Sequence, residues 1–121
     1  MAQWPICMSM MTGADFEQMA ASYLVREGFR VLARNWASKF GEVDIIAKDL
    51  DGTLVFVEVR QRISIGHGGA AASVTRAKQK KLILTAKSYI AGQAQEPSIR
   101  FDVIAFEGEQ MEHIRGAFLL D

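Results

Sequence analysis

The chain has 121 residues, half of them apolar, with 14 basic and 14 acidic side chains and a formal net charge of zero. That length suits one domain with a core of its own. No apolar run approaches the ~18 residues of a membrane span, and the opening MAQWPICMSMM has neither the basic start nor the sustained apolar stretch of a secretory signal. The single cysteine, Cys7, cannot form an internal disulfide, which is consistent with a reducing, cytoplasmic setting.

The zero net charge conceals a segregation. Between Glu58 and Glu96 there is no acidic residue, while Arg60, Arg62, Arg76, Lys78, Lys80, Lys81 and Lys87 all fall there. That segment carries +7 and the remainder −7. A solvated basic helix would account for some of this, but the length of the acid-free run favours an anionic partner for one surface.

In chain order, residues 1–11 lack periodicity and are expected to form a loose tail outside the domain spanning 12–121. Thr12 or Asp15 can cap a first helix in which Phe16, Ala20, Tyr23 and Leu24 recur at helical spacing, with Gly28 as its stop. Glu17 borders that apolar stripe, so its carboxylate is either directed into a site or snorkelling at the edge. Phe29 to Arg34 reads as a strand and Asn35 to Gly41 as a connecting loop.

The next stretch, EVDIIAKDLDGTLVFVEVRQR from Glu42 to Arg62, is a hairpin around Leu50-Asp51-Gly52. A two-residue loop would place Asp44 and Glu58 on opposite faces. A three-residue loop with Gly52 in the left-handed conformation pairs Ile45 with Val57, Ala47 with Val55 and Val43 with Val59, giving one wholly apolar face. The other face then pairs Glu42 with Arg60, Asp44 with Glu58, Ile46 with Phe56 and Lys48 with Leu54. This register keeps charge off the core face and sets two carboxylates roughly 5 Å apart at Cβ, beside a cation. A salt-bridge ladder of Glu42 with Arg60 and Glu58 with Arg62 fits the same pattern.

Ile63 to Ala72 contains a Gly/Ala-rich loop without a nucleotide-binding spacing. Ser73 or Thr75 caps a second helix to about Ala91, with Lys78 on its apolar stripe one turn before Leu82 and with Lys80, Lys81 and Lys87 facing outward. Ile99 to Phe106 and Met111 to Arg115 read as strands. The alternation of helices and strands implies a single mixed α/β domain with helices on the sheet. His67 and His113 are isolated and read as surface residues. No CxxC, HExxH or GxSxG appears, which argues against zinc and acyl-transfer sites. What remains is a carboxylate pair beside a cation, a donor set suited to Mg²⁺ or Mn²⁺ and to phosphodiester hydrolysis.

Asp44 followed, after a turn, by Glu58-Val59-Arg60 resembles the core of the PD-(D/E)XK nucleases. More closely, the chain resembles the YraN-like family of small bacterial proteins, themselves similar to Holliday junction resolvases. The matching pieces are Glu17, the stretch Gly41 to Ala47, Phe56 to Arg62, Ser73-Val74-Thr75 with Lys78-Gln79, and Arg100 to Val103. The resemblance implies a restriction-endonuclease-like fold, an acidic site of Glu17, Asp44 and Glu58, Asp44 and Glu58 as ligands of Mg²⁺ or Mn²⁺, and Arg60 at the position where this nuclease class usually has lysine. It implies DNA as partner, branched DNA included, bound through Arg62, Arg76, Lys78, Lys80 and Lys81, with a homodimer compatible and no membrane involved. Two functions follow: a metal-dependent endonuclease, or a catalytically inactive nucleic-acid-binding module of the same fold.

Overall fold

The computed structural model describes residues 10–61 and 74–120. Helix α1 (Gly13–Arg26) is followed by strands β1 (Arg30–Ser38), β2 (Gly41–Lys48) and β3 (Leu54–Gln61), helix α2 (Arg76–Ile90), and strands β4 (Ile99–Glu107) and β5 (Gln110–Phe118). The strands form one sheet in the order β1-β2-β3-β4-β5. Only the β3–β4 pair is parallel, because only there does a helix carry the chain back across the sheet.

Thr12 caps α1 by a reciprocal box, its hydroxyl accepting from the Asp15 N–H while Asp15 Oδ2 accepts from the Thr12 N–H at 2.7 Å. Thr75 caps α2, its hydroxyl accepting from the Lys78 N–H at 3.2 Å. Each helix covers one face of the sheet. Phe16, Ala20 and Leu24 pack on Ile45, Ala47, Val55, Val57, Ile104 and Phe106. Leu82, Ile83 and Ala86 pack on Ile46, Leu54, Phe56, Phe101, Val103 and Ala105. β3 and β4, buried on both sides, therefore read as nearly unbroken apolar runs in the sequence.

The β2–β3 turn is the three-residue loop expected. The Asp49 N–H donates to the Thr53 carbonyl at 2.9 Å, Gly52 has φ +90°, and Ile45 opposes Val57, Ile46 opposes Phe56 and Ala47 opposes Val55. Two expectations need correction. Asn35 to Gly41 is not a loop: β1 continues to Ser38 and turns tightly into β2. Finally, Val43 does not share a face with Ile45 but packs with Ile46 on the α2 side.

The last correction has a local cause. Asn35 is the only non-glycine among the described residues with positive φ, at +52°, a conformation of order 1 kcal/mol or more above the strand region. Arg34 opposes Ile45 and Trp36 opposes Val43, so Asn35 lies across from Asp44. Before this point Ala33 and Ile46 face α2; after it Trp36 and Val43 do. Residues three apart share a face where alternation demands two, so both strands change phase together at Asn35 and Asp44.

At the other end of the sheet a polar network ties β4, β5, α1 and the β2–β3 turn. Asp102 is fully buried and accepts from Arg100 Nε (2.8 Å) and Nη2 (3.0 Å) and from the Gly116 N–H (3.0 Å), with His113 Nε2 at 2.8 Å. His113 Nδ1 meets the Tyr23 hydroxyl at 2.9 Å, and Arg100 Nη1 reaches Asp49 Oδ2 at 2.8 Å. His113, read from sequence as a surface residue, is only 5% exposed. Burial alone would raise the Asp102 pKa, but the hydrogen bonds from His113, Arg100 and Gly116 outweigh it and hold the carboxyl below 3.8. The native state thus favours ionised Asp102, so this stabilisation is complete above about pH 4 and is lost as pH falls below it. Asp102→Asn should cost roughly 3 kcal/mol in urea unfolding at pH 7. Its stability should also fall less steeply than the parent's from pH 5 to pH 3; parallel curves would contradict the assignment.

Candidate active site

The β2–β3 ladder runs from Lys48 and Leu54 to Ile45 and Val57. Beyond Ile45, where the phase of β2 changes, the Asp44 side chain takes over a role the backbone has left. Asp44 Oδ2 accepts the Val59 N–H at 2.8 Å. A side-chain carboxylate thus replaces a main-chain carbonyl and is held at a fixed place between two strands.

Glu58 lies beside it on β3 and is only 4% exposed. Glu58 Oε2 faces Arg60 Nη1 at 3.5 Å and Lys78 Nζ at 3.8 Å. Lys78 comes from the first turn of α2, on the face that the sequence spacing assigned to it. The other oxygen, Glu58 Oε1, is buried with no hydrogen-bond partner among the described residues. Such an oxygen costs roughly 1–3 kcal/mol unless a proton or cation satisfies it. Burial, then the neighbouring Glu58 carboxylate, push the Asp44 pKa up to about 7, against the lowering effect of the Val59 N–H and Lys78.

Glu17, on α1, is raised above 4.5 by burial and by Asp44, while a hydrogen bond with Asn35 and the charge of Arg34 act in the opposite direction. The Arg34 Nη1 donates to Gln18 Oε1 at 2.7 Å, joining β1 to the same turn of α1. Among the described residues no three His, Cys, Asp or Glu side chains form a group that could hold a metal ion by themselves. Asp44 and Glu58 remain a suitable pair of donors, because Mg²⁺ is commonly held by one or two carboxylates with water and substrate phosphate completing its shell. The unpartnered Glu58 Oε1 is the oxygen that such an ion would satisfy.

The structure thus brings together Asp44, Glu58, Arg60 and Lys78 and sets Glu17 near Asp44. Arg76, Lys80 and Lys81 are exposed along α2, outside the carboxylate cluster. Arg62 lies outside the described residues, as does His67. Sequence reasoning missed Asn35, whose place beside Glu17 and opposite Asp44 depends on a left-handed backbone inside a strand. Its one signal was the residue type, since Asn tolerates that conformation better than most residues.

A helix on either face of one mixed five-stranded sheet makes a single α/β domain of a fold shared with solved endonuclease structures. Hjc, a Holliday junction resolvase from the archaeal hyperthermophile Archaeoglobus fulgidus, superposes with a TM-score of 0.53 at 20% identity, over 85% of this chain and 76% of that one. The protein in a structure of the EndoMS–dsDNA2 complex does so with a TM-score of 0.52 at 18% identity, over 84% of this chain and 39% of that one. At such identities the likeness establishes the fold. Residues 16–106 match the model of the uncharacterised protein family UPF0102, and the chain belongs to that family. A UPF0102 protein of Cupriavidus taiwanensis is 48% identical over 109 residues, covering 90% of this chain and 83% of the relative. Another from Ralstonia nicotianae is 50% identical over 111 residues, covering 88% and 85%. No helix among the described residues is long and apolar enough to cross a membrane.

Asp44 gives a pH signature opposite to that of Asp102. Its pKa is near 3.8 in the unfolded chain and about 7 in the folded one, so the native state holds its proton more tightly. Stability should therefore be highest at about pH 4, decline as pH rises through about 7, and level off above. Asp44→Asn keeps an oxygen for the Val59 N–H and should stabilise the protein by roughly 1–4 kcal/mol at pH 8, and by much less at pH 4. Equal effects at both pH values in urea unfolding would contradict the raised pKa.

Proposed function

We propose that this protein is a metal-dependent endonuclease that hydrolyses phosphodiester bonds in branched or otherwise structured DNA. The observation that carries the reading is the juxtaposition of two buried carboxylates, Asp44 and Glu58, with two cations at one end of Glu58 and its Oε1 without a donor among the described residues. Folds similar to this one include a named Holliday junction resolvase and a protein solved with double-stranded DNA, which supports the class of substrate.

Asp44 and Glu58 would hold Mg²⁺ or Mn²⁺, which when bound supplies an activated water and offsets charge on the phosphate. The chain's own groups do the rest. The Val59 N–H fixes Asp44 through Oδ2, beside Glu58. Arg60 grips the phosphate being cut, and its planar fork suits two phosphate oxygens. Lys78 brings a second positive charge from α2, and Glu17 orients water from the α1 side. Arg76, Lys80 and Lys81 track the DNA backbone further from the bond broken, and the sequence assigns Arg62, outside the described residues, to the same partner.

The alternative, an inactive binding module, is favoured by one feature: arginine stands at position 60, where this nuclease class usually carries lysine. Cleavage of a synthetic four-way junction with Mg²⁺ or Mn²⁺ separates the two. Arg60→Ala should abolish cutting while leaving most junction binding intact, and Arg60→Lys should preserve or raise the rate. If neither parent nor Arg60→Lys cuts any junction with either metal, yet both bind, the module reading replaces the enzyme.

The outer lysines make a separate expectation. The double variant Lys80→Ala, Lys81→Ala should weaken binding about equally across DNA sequences and flatten the log–log salt slope by ~1 per lost phosphate contact. An unchanged slope in titrations between low and physiological salt would remove α2 from the DNA surface.

A further inference from the structure

We propose that Asn35 is a positioning residue: its left-handed backbone turns β2 out of phase so that Asp44 leaves the sheet faces and reaches β3, and its side-chain amide ties Glu17 to the same point. The role of Asn35 in orienting Glu17 and Asp44 toward a metal rests on the nuclease reading; its control of the Asp44–Val59 hydrogen bond does not.

Three independent placements meet here. Asn35 has φ +52° within β1, whose pairing is also irregular between Val31 and Ala33, and every other positive φ among the described residues belongs to glycine. It lies opposite Asp44, between the pairs Arg34–Ile45 and Trp36–Val43. The change of face falls at this step in both strands, with Ala33 and Trp36 on the α2 side of β1 and Ile46 and Val43 on the α2 side of β2. Were β1 regular, Val43 would follow Ile45 to the α1 side, and Asp44 would point toward α2. Instead the Asp44 carboxylate lies in the gap between strands, where it meets the Val59 N–H.

The left-handed region also explains the residue type. Glycine would adopt it freely but offers no side chain; alanine and larger residues resist it. Asparagine tolerates the conformation and adds an amide beside Glu17, one residue before the Gln18 that Arg34 holds. One residue thus serves two carboxylates on different elements by two different means.

Three substitutions separate these means. Asn35→Gly keeps the backbone and removes the amide, whereas Asn35→Ala removes the amide and disfavours the backbone. Hydrogen exchange by NMR reads the first role. In Asn35→Ala the Val59 amide should exchange at least tenfold faster relative to the amides of residues 54–57, and in Asn35→Gly that ratio should return to within about twofold of the parent. A role in general stability would speed all these amides together. An unchanged Val59 ratio in Asn35→Ala, or an equal loss in Asn35→Gly, overturns the backbone role. Mn²⁺ affinity, read by electron paramagnetic resonance, tests the second role: Asn35→Gly should weaken binding about fivefold in the parent and less than twofold in a Glu17→Gln background. Equal weakening in both backgrounds, or none in the parent, overturns the amide role. A parent that binds no Mn²⁺ refutes the nuclease reading and with it the amide's metal role, while the exchange ratios still decide whether Asn35 sets Asp44.

Discussion

The hydrogen bond from the Val59 N–H to Asp44 Oδ2 is the contact on which the candidate site depends. Two adjacent antiparallel strands normally satisfy one another through main-chain groups, and a carboxylate between them would be an intrusion. Here β2 changes phase at Asp44, and the carboxylate takes the N–H that the ladder leaves at Val59. A side chain so held cannot relax away from Glu58, which is fixed on β3 by burial on both faces of the sheet. The repulsion between the two carboxylates is therefore built into the backbone, and its measurable sign is the upward pull on Asp44. An ion pair free to rearrange would have dissipated it.

The two polar clusters of the molecule differ in this respect, and the difference separates structure from function. Around Asp102 the carboxylate oxygens have four protein partners: three hydrogen bonds from Arg100 and Gly116, and His113 Nε2 at 2.8 Å. That network joins the start of β4 to β5, α1 and the turn before β3, and it lowers the acid's pKa. Around Glu58 one buried oxygen has no partner among the described residues, and the neighbouring acid's pKa is raised. Both clusters are buried carboxylates near arginine. Among the described residues only the Asp102 cluster is complete, a contrast that supports the proposed site at Glu58.

Much of this was legible in the sequence, for reasons that can be named. The odd-numbered loop followed from period-two alternation and from the need for a glycine with positive φ, and it fixed the pairing of Ile45 with Val57. Helical spacing put Lys78 on the inner stripe of α2, and it does reach Glu58. Alternation failed where the backbone departs from a regular strand. A left-handed Asn35 hid the second half of β1, which reads as loop, and it inverts the faces beyond it, so the sequence pattern places Val43 on the same face as Ile45 when it lies on the other. His113 read as a surface residue because its partners, Tyr23 and Asp102, are 90 and 11 positions away. Asp102 itself was the available clue: a lone acid in an apolar strand buried on both faces requires donors from elsewhere in the fold.

Helix α2 shows the same conflict between local preference and site. The positive end of a helix favours acidic residues in its first turn, each by roughly 0.3–1 kcal/mol. The first turn of α2 contains none and instead has Arg76 and Lys78, with Lys80 and Lys81 immediately after. Among the described residues Lys78 alone of these is compensated, by an ion pair to Glu58 that is long at 3.8 Å. Three exposed cations at the positive end of a helix lower the stability of the isolated domain, yet they add their charge to the end of a helix that already attracts anions. A chain whose net charge is zero could have distributed these residues elsewhere. Their concentration at one helix start sets exposed positive charge next to a buried carboxylate pair, the juxtaposition on which the proposed hydrolysis of a polyanion would rely.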